Sequence, residues 1–474
     1  MTADSRLIDM TACDVVDLLQ RQEVTPLDLL DTLEDRISDV DPTVNALPTL
    51  CFERARTHAK QIMDKPVSDR GSLTGMPVAI KDLSHVEGVL TTSGSPIFKD
   101  RVSDHSDLMV ENIETADGVI YAKSNTPEFG AGANTFNEVF GATVNPWDTS
   151  KSCAGSSGGS AVALATGMAW LASGSDLGGS LRNPASFCSV VGMRCSPGRV
   201  TVGPGAGPFN DLSVNGPMAR NVADVALFLD SMTAQNPADP LSLEKPATPF
   251  IAAVKAPKPP KKVAFSPDLG VTPVDPEVAE ICAKAAQKFA DLGVEVVEAA
   301  PDFTDLQHIF QTMRAIDFAT KHQAKLSTYK ELLKPEVIWN IERGLSLSSA
   351  DVIRATTGRA QLYYNAVNFF KEYDLLLSPA TVVPPYPIED RFVAELGDHK
   401  FANYIEWCSI AYAITVVSLP ALSLPAGFTA SGLPVGLQVV GPPRGEADLL
   451  AGAHLLEGIL ELEQQVPINP RSPQ

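Results

Sequence analysis

The chain has 474 residues, 44% of them hydrophobic, so it can bury a large core, and its length alone would permit roughly two or three domains. Its 57 acidic residues outnumber the 37 basic ones and give a formal net charge of -20. Because nucleic-acid binding needs clustered lysine and arginine, and an acidic surface repels anionic membranes, this balance excludes both as expected partners.

The cysteines and the N-terminus indicate the cellular compartment. The seven cysteines are an odd number, sparse and without a Cys-x-x-Cys pair, which favours free thiols and argues against a zinc site. The first residues, MTADSRLIDMTACDVV, lack the charged-then-apolar order of a signal peptide. We therefore expect a cytoplasmic protein, without a run of about 18 apolar residues that would cross a membrane.

The N-terminal part predicts helices, and an α/β pattern follows it. Val15, Leu18 and Leu19 recur at helical spacing, and Thr25-Pro26 marks a second helix start, so residues 1–70 should pack as helices outside the core formed by the part that follows. The next part alternates as in α/β folds. Its elements are a strand at 78–80, a helix near 106–115 and a strand at 118–122.

Lys81 ends the first of these strands. Most lysines are solvated, but one held at the end of an apolar strand loses its proton more easily and can act as a base. Further along, Gly130, Ala131 and Gly132 belong to a glycine-rich segment that fits either a plain turn or a substrate-binding loop.

Two glycine-and-serine clusters lie between residues 151 and 184. The first is GSSGGS at 155–160, the second is GSDLGGS at 174–180, and a helix start at 161–166 and a short strand at 170–172 separate them. Successive N–H groups of a Gly-Gly-Ser turn can point into one concavity, as an oxyanion hole requires. Ser180 is therefore a candidate nucleophile and needs a base. The seven histidines have no motif around them, which leaves Lys81 as the better candidate.

The second half of the chain predicts loops, then a sheet unit, then helices. Residues 197–216 are rich in glycine and proline and predict a loop, which we expect to be a mobile flap over the site. The proline-rich, basic stretch 245–262 predicts a surface connection. A strand at 262–266, a helix stopped by Gly293 and a strand at 294–297 form a βαβ unit, so the core sheet should continue past the connection. Residues 303–371 are predicted to be mainly helical, with a cap at Ser348 or Ser349.

These motifs, in this order, resemble the amidase signature family, whose hydrolases use a Ser-cisSer-Lys triad. The family pattern is a lysine after a Pro-Val-Ala strand, then Gly-Ser-Ser-Gly-Gly-Ser, then Asp-x-Gly-Gly-Ser-x-Arg. It is met by Lys81, by residues 155–160 and by residues 176–182. Similar phrases run from KSNTPEFG at Lys123 to GLPVGLQVVG ending at Gly441, so the resemblance covers nearly the whole chain.

The resemblance implies a role for each matching position. Ser180 is the nucleophile, Lys81 the terminal base, and Ser156, the first serine of its pair, the bridging serine on a cis peptide bond. The backbone N–H groups of Leu177, Gly178, Gly179 and Ser180 would form the oxyanion hole, supported by Ser157, Asp176 and Arg182. In relatives the loop containing Gly130, Ala131 and Gly132 passes over the substrate carbonyl. No metal or organic cofactor is implied.

The chain departs from the family pattern at two places. Cys153-Ala154 stands where relatives commonly have Pro-Gly, and Ser175 replaces a frequent threonine. Alanine restricts φ, so the entry to the first cluster can be shaped differently, but no reacting group is lost. Cys153 is expected to be a small packed residue.

The resemblance implies an α/β fold, with a mixed central β-sheet flanked by helices on both faces, in one amidase domain over 1–474. The signature core would span 71–245, and the helices of 300–371 would wall the substrate pocket. Their aromatic and methionine side chains, with two later aromatic ones, favour a largely apolar site. These are Phe310, Met313, Phe318, Trp339, Tyr363, Tyr364, Trp407 and Tyr412.

The expected function is an amidase of the linear-amide class. It would hydrolyse a carboxylic amide, or a related ester, anilide or carbamate, of a largely apolar small molecule through a Ser180 acyl-enzyme, as a monomer or homodimer. One alternative uses Gly155-Ser-Ser157-Gly-Gly159 as the nucleophile elbow of α/β-hydrolases, but the preceding NPWDTSKSC is polar and does not predict the required strand. A binding protein that has lost activity is a weaker alternative, since all three triad residues are present.

The other alternative is the glutaminase component of glutamyl-tRNA amidotransferase, known as its A subunit, which shares the triad and releases ammonia from glutamine inside a complex. That component holds the amino-acid end of glutamine with an acidic residue before Leu-Pro-Ala. Cys408 occupies the place here and offers an amine no partner.

Overall fold

The computed structural model describes residues 5–205, 207–462 and 465–473. Two sequence predictions fall partly outside the described residues. These are the N-terminal segment expected not to be a signal peptide, in its first four residues, and the 197–216 loop, at Ala206. No helix in the described ranges is long and apolar enough to cross a membrane.

The strands of the described chain form one large mixed sheet and three small hairpins. The bounds are β1 (Thr49–Leu50), β2 (Pro77–Lys81), β3 (Val119–Ser124), β4 (Phe136–Asn137), β5 (Gly141–Ala142), β6 (Val144–Asn145), β7 (Asp148–Ser152), β8 (Leu171–Asp176), β9 (Val191–Arg194), β10 (Val214–Ala219), β11 (Lys262–Phe265), β12 (Glu295–Glu298), β13 (Leu375–Pro379), β14 (Glu395–Leu396), β15 (His399–Lys400), β16 (Ala421–Phe428) and β17 (Pro434–Val440).

The helices surround this sheet. Their bounds are α1 (Ala12–Gln20), α2 (Pro26–Val44), α3 (Phe52–Met63), α4 (Leu108–Thr115), α5 (Gly158–Ala165), α6 (Arg182–Cys188), α7 (Val222–Met232), α8 (Phe250–Lys255), α9 (Pro276–Gln287), α10 (Leu306–Tyr329), α11 (Pro335–Ser346), α12 (Ser349–Phe369), α13 (Ser409–Val416) and α14 (Glu446–Leu460).

The large sheet has eleven strands in the order β1-β3-β2-β8-β10-β9-β16-β17-β13-β11-β12. Parallel pairs join β2 to β3 and β8, and join β11 to β12 and β13, while the strands between these two groups pair antiparallel. The sheet therefore continues through the βαβ unit of β11, α9 and β12, as the sequence predicted. Gly293, at φ 76°, caps the turn that ends this helical stretch.

Neighbouring residues of one strand pack into two different hydrophobic cores. Leu375 and Leu377 of β13 lie in one cluster with α1, α2 and α7, whereas Leu376 lies in the other with α10 and α13. Since successive side chains of a strand point to opposite faces, the two clusters lie on the two faces of the sheet. All residues of β2 and β17 are accordingly buried, which is typical of a sheet covered on both sides. The prediction of an α/β fold with a mixed sheet flanked by helices is confirmed.

Three local predictions need correction. The stretch 245–262 is more than a surface connection, because it contains α8, where Phe250 is buried and its N–H donates to Asp230 at 2.7 Å. Residues 214–216, predicted as loop, begin β10, which pairs with β8. The polar residues Asp148–Ser152 form β7, but this strand pairs with β6 in a separate two-stranded ladder.

Candidate active site

Lys81 lies at the carboxyl end of β2, between β3 and β8 in the large sheet. Its backbone N–H donates to Ser173 Oγ at 3.1 Å, which fixes the end of the strand. The side chain is 1% exposed. Burial, only partly opposed by the charge of Asp176, lowers the pKa of Lys81 from 10.5 to about 7.

Three serine hydroxyls surround the Lys81 amine. Nζ lies 2.7 Å from Ser156 Oγ, 2.9 Å from Ser157 Oγ and 3.0 Å from Ser175 Oγ. A neutral amine has one lone pair and two N–H groups, so it can accept from one hydroxyl and donate to the other two. This arrangement satisfies the uncharged form of Lys81.

Ser156 belongs to the turn that starts α5. The Gly155–Ser156 peptide bond is cis, as the resemblance implied. Ala154, before it, adopts a left-handed φ of 57°, the region that glycine enters more easily, so the alanine takes up a glycine-like conformation here. The N–H of Ser157 donates to the carbonyl oxygen of Ser180 at 3.1 Å and joins the two clusters directly.

Ser180 lies in the turn after β8, which a buried carboxylate organises. Asp176 accepts from the N–H of Gly179 at 2.9 Å and of Leu181 at 3.2 Å. Arg182 donates from Nε and Nη2 to both carboxylate oxygens, at 3.0 and 2.9 Å. Burial alone would raise the pKa of Asp176, but Arg182 and Arg194 hold it well below its ordinary value. Asp176 is therefore a permanent anion that holds the turn.

This turn changes one part of the predicted oxyanion hole. The N–H of Gly179 points to Asp176 and is not available to a substrate. In the described residues no acceptor bonds the N–H groups of Leu177, Gly178 and Ser180, and all three residues line the neighbouring cavity.

The cavity beside Ser180 has a volume of about 270 Å³. Both Ser156 and Ser180 line it, although no hydrogen bond joins their hydroxyls within the described ranges. Gly130 also lines it, and a Cβ there would lie 3.3 Å from Ser156 Oγ. Ala131 and Gly132 lie outside the lining, where the carbonyl of Ala131 accepts from Lys334 Nζ at 2.8 Å.

The wall opposite the serines is one face of α10, and it is largely charged. Of the eight aromatic and methionine side chains predicted to wall a pocket, Phe318 alone lines this cavity. Tyr363 and Tyr364 are exposed on α12, and Phe310 stacks on Tyr412 with ring centroids 3.8 Å apart. The helix contributes Arg314, Asp317, Phe318, Lys321 and His322 to the cavity.

A family model described as Amidase matches residues 28–450. The chain belongs to the Amidase family. The predicted resemblance is thereby confirmed over nearly the whole chain, and with it the hydrolase class that acts on amides. The individual roles of the site residues remain predictions.

Two relatives illustrate the breadth of the Amidase family. The chain is 31% identical over 455 residues to an acylamidase of Rhodococcus erythropolis, a match that covers 95% of each chain. It is 32% identical over 484 residues to the A subunit of the glutamyl-tRNA(Gln) amidotransferase of Moorella thermoacetica, a match that covers 97% of this chain and 98% of that one. Among solved structures, a bacterial aryl acylamidase of the amidase signature enzymes superposes on this chain with a TM-score of 0.89 at 24% identity. The superposition covers 97% of this chain and 99% of that one and shows that the two share a fold.

Two other candidate groups of this Amidase family member, Ser157 and Cys153, are not part of the cavity lining. Ser157, the nucleophile of the elbow alternative, is fully buried, and its hydroxyl contacts Lys81 and the backbone of Ser175. Cys153 is buried, its thiol donates to the Thr143 carbonyl at 3.3 Å, and burial raises its pKa to about 12. Within the described residues no three His, Cys, Asp or Glu side chains are placed to hold a metal ion.

Proposed function

We propose that this protein hydrolyses a carboxylic amide through an acyl-enzyme on Ser180, with Ser156 and Lys81 relaying the proton. The observation that carries the proposal is the buried Lys81 amine, 2.7 Å from the Oγ of Ser156, a residue that lines the same cavity as Ser180. A base with a pKa of about 7 is suited to reaction near neutral pH.

The first half-reaction forms the acyl-enzyme. Ser180 Oγ attacks the amide carbon while its proton passes to Ser156 Oγ and the Ser156 proton passes to Lys81 Nζ. The amide nitrogen then takes a proton back along the same path and leaves as an amine or ammonia. In the second half-reaction water attacks the ester carbon and gives a proton to the same relay. The relay returns a proton to Ser180 Oγ as its bond to the carbon breaks, and the product leaves as the carboxylic acid, which ionises to the carboxylate.

The charge that develops on the carbonyl oxygen needs fixed donors. We assign them to the N–H groups of Leu177, Gly178 and Ser180, which line the cavity. Gly179 has the different task of binding Asp176, which together with Arg182 keeps the turn in place.

We further propose the general amidase class for linear amides, one amidase domain over 1–474 and a cytoplasmic location. The eleven-stranded sheet supports the single domain, because it contains strands from both ends of the chain, β1 near the N-terminus and β17 near the C-terminus. All seven cysteines are free thiols, which fits a reducing compartment. Light scattering would distinguish the expected monomer or homodimer from larger assemblies.

A serine-directed fluorophosphonate tests the nucleophile. Mass spectrometry of the labelled, digested protein should find the phosphonyl group on Ser180, and Ser180→Ala should lose both the label and amide hydrolysis. Ser157→Ala is the matched control and should still be labelled. A phosphonyl group on Ser157 instead would support the elbow alternative and refute the proposed acyl-enzyme.

The amidotransferase component is the second candidate, favoured by the 32% identity to the Moorella thermoacetica protein. Against it, Cys408, at the position expected for an acid, is buried and contacts the Asn183 amide at 3.3 Å. Ammonia release from glutamine that appears only with added partner proteins would establish this second function. Hydrolysis of anilides by the isolated chain, with glutamine untouched, would exclude it.

A further inference from the structure

A buried arginine lines the catalytic cavity without a carboxylate partner. Arg314 is 3% exposed and reaches the cavity from α10. In the part of the chain that the structure describes, no Asp or Glu oxygen lies within 4.0 Å of its guanidinium. Its hydrogen bonds go to the Asn340 side-chain oxygen and the Tyr404 hydroxyl, two uncharged groups.

An acid on α10 and one on the neighbouring α11 are held by other cations. Asp317, one helical turn from Arg314 in the same cavity, lies 2.7 Å from Lys321 Nζ and also accepts from the Asn210 amide. Glu336, on α11, is bound by Arg391 at 2.7 Å. Each of these carboxylates is thus paired elsewhere, and the charge of Arg314 is left uncompensated.

The remaining titratable group of this wall carries no charge near neutral pH. His322 packs with its ring centroid 4.5 Å from that of Phe129, and burial, aided by Lys325 and Lys321, lowers its pKa to about 3. Among the described residues that line the cavity, Arg314 therefore has a charge with no opposite charge paired to it.

An unpaired buried cation is costly, and a guanidinium has five N–H groups arranged to grip a carboxylate through two parallel hydrogen bonds. Arg314 uses one N–H for Asn340 and one for Tyr404, so donors remain for a ligand. The Phe318 and Tyr404 rings lie 4.7 and 5.2 Å from its central carbon and fix its plane.

We propose that Arg314 binds a carboxylate of the substrate, so that the enzyme selects amides that carry an acidic group over neutral amides of the same shape. This rests on the proposed amide hydrolysis at Ser180 and adds the substrate class to it. The carboxylate can belong to the acyl part or to the amine part of the substrate, and matched substrate pairs distinguish the two.

The first pair places the acid on the acyl part: succinanilate and its neutral carboxamide, with aniline release as the readout. The second pair places it on the amine part: 4-butyramidobenzoate and 4-butyramidobenzamide, with release of the aromatic amine as the readout. In one pair we expect the wild type to favour the carboxylate about 10-fold or more in kcat/KM, mainly through KM, since hydrogen bonds to a charged group are worth a factor of this order.

Three variants and one control test whether Arg314 causes the preference. Arg314→Gln should abolish it, and Arg314→Lys should retain part of it. Asn340→Asp places an internal carboxylate beside an intact Arg314 and should also abolish it, which a merely structural role would not predict. Lys325→Gln, on the same helix but outside the cavity lining, should leave the preference unchanged.

Binding to Ser180→Ala separates this inference from the proposed reaction. Calorimetry should show tighter binding of the carboxylate than of the carboxamide even though this variant cannot turn over, and Arg314→Gln in the same background should equalise them. Equal binding and equal kcat/KM within both pairs would overturn the inference and leave the reaction standing. A wild type that binds the carboxylate selectively but hydrolyses none of the four amides would overturn the reaction instead.

Discussion

Replacing Lys81 by methionine should change how stability depends on pH. In the wild type the folded state loses the Lys81 proton near pH 7, whereas the unfolded chain keeps it until about pH 10.5. Below pH 7 both states are protonated, and above pH 10.5 neither is. Between these values the unfolded state binds one more proton, so the folded state gains about 1.4 kcal/mol for each rise of one pH unit.

The expected magnitude follows from these two pKa values. From pH 7 to pH 9 the free energy of unfolding of the wild type should rise by about 2 kcal/mol relative to Lys81→Met, because methionine does not titrate. Comparing the two proteins cancels the titration of the many acidic residues, which both proteins share.

Urea unfolding followed by tryptophan fluorescence at several pH values measures this difference. Ser180→Ala is the matched control: it lacks activity but keeps the lysine, so its stability curve should run parallel to that of the wild type. In the wild type, kcat/KM for an anilide should rise tenfold per pH unit below the same pKa and level off above it, because the neutral amine is the base. Lys81→Met should lose roughly 10²-fold or more at all pH values.

Two results would refute this account of Lys81. Parallel stability curves for the wild type and Lys81→Met from pH 7 to pH 9 would show that the lysine is charged in the folded protein. A Lys81→Met enzyme with near-full amidase activity would remove the lysine from the proton relay altogether.

Three further substitutions test the support of the site. Ser175→Ala removes one of three hydroxyls around the catalytic amine and should lower kcat about 10-fold with little change in KM, as steady-state kinetics will show. Asp176→Asn leaves the buried Arg182 without its carboxylate and should lower the free energy of unfolding in urea by roughly 3–5 kcal/mol; a loss below about 1 kcal/mol would contradict this role. Gly179→Ala places an alanine at φ +107°, a conformation that strains it, and puts its Cβ 2.7 Å from a neighbouring methyl carbon. The melting temperature of this variant should therefore fall well below that of Gly178→Ala, whose Cβ would lie 3.3 Å from its nearest atom.

The sequence could predict groups that the structure brings together, Lys81 beside Ser156 and Ser156 in one cavity with Ser180, because each lies in a short local motif. Lys81 ends an apolar strand, and Ser156 and Ser180 lie beside glycines whose small size is itself a signal. Only some of the hydrogen-bond partners of the Lys81 amine could be predicted. Ser175 was noted as a replacement for threonine, but its contact with the lysine depends on how β2 and β8 pair, which a local pattern does not contain.

The cavity wall could not be predicted from local patterns. The five side chains that line the cavity from α10 share one face of the helix: Arg314, Asp317, Phe318, Lys321 and His322. A face that mixes charged and apolar residues is also found on helices that face solvent, so the pattern does not identify a cavity wall. Tyr363 and Tyr364 were counted as pocket residues for their size, but the face of α12 that carries them points to solvent. Which face of a helix meets the cavity is decided by tertiary packing.

The hydrogen bonds of Arg182 have a consequence for how the enzyme is made. Its guanidinium donates to the Ala411 carbonyl, to Thr415 and to Gln438, residues 229 to 256 positions further along the chain. During synthesis Lys81, Ser156 and Ser180 emerge from the ribosome within the first 180 positions, whereas these partners of Arg182 follow much later, first on α13 and then on the strand that carries Gln438. Arg182 therefore gains its full set of contacts only after residue 438 has been made, well after Lys81, Ser156 and Ser180.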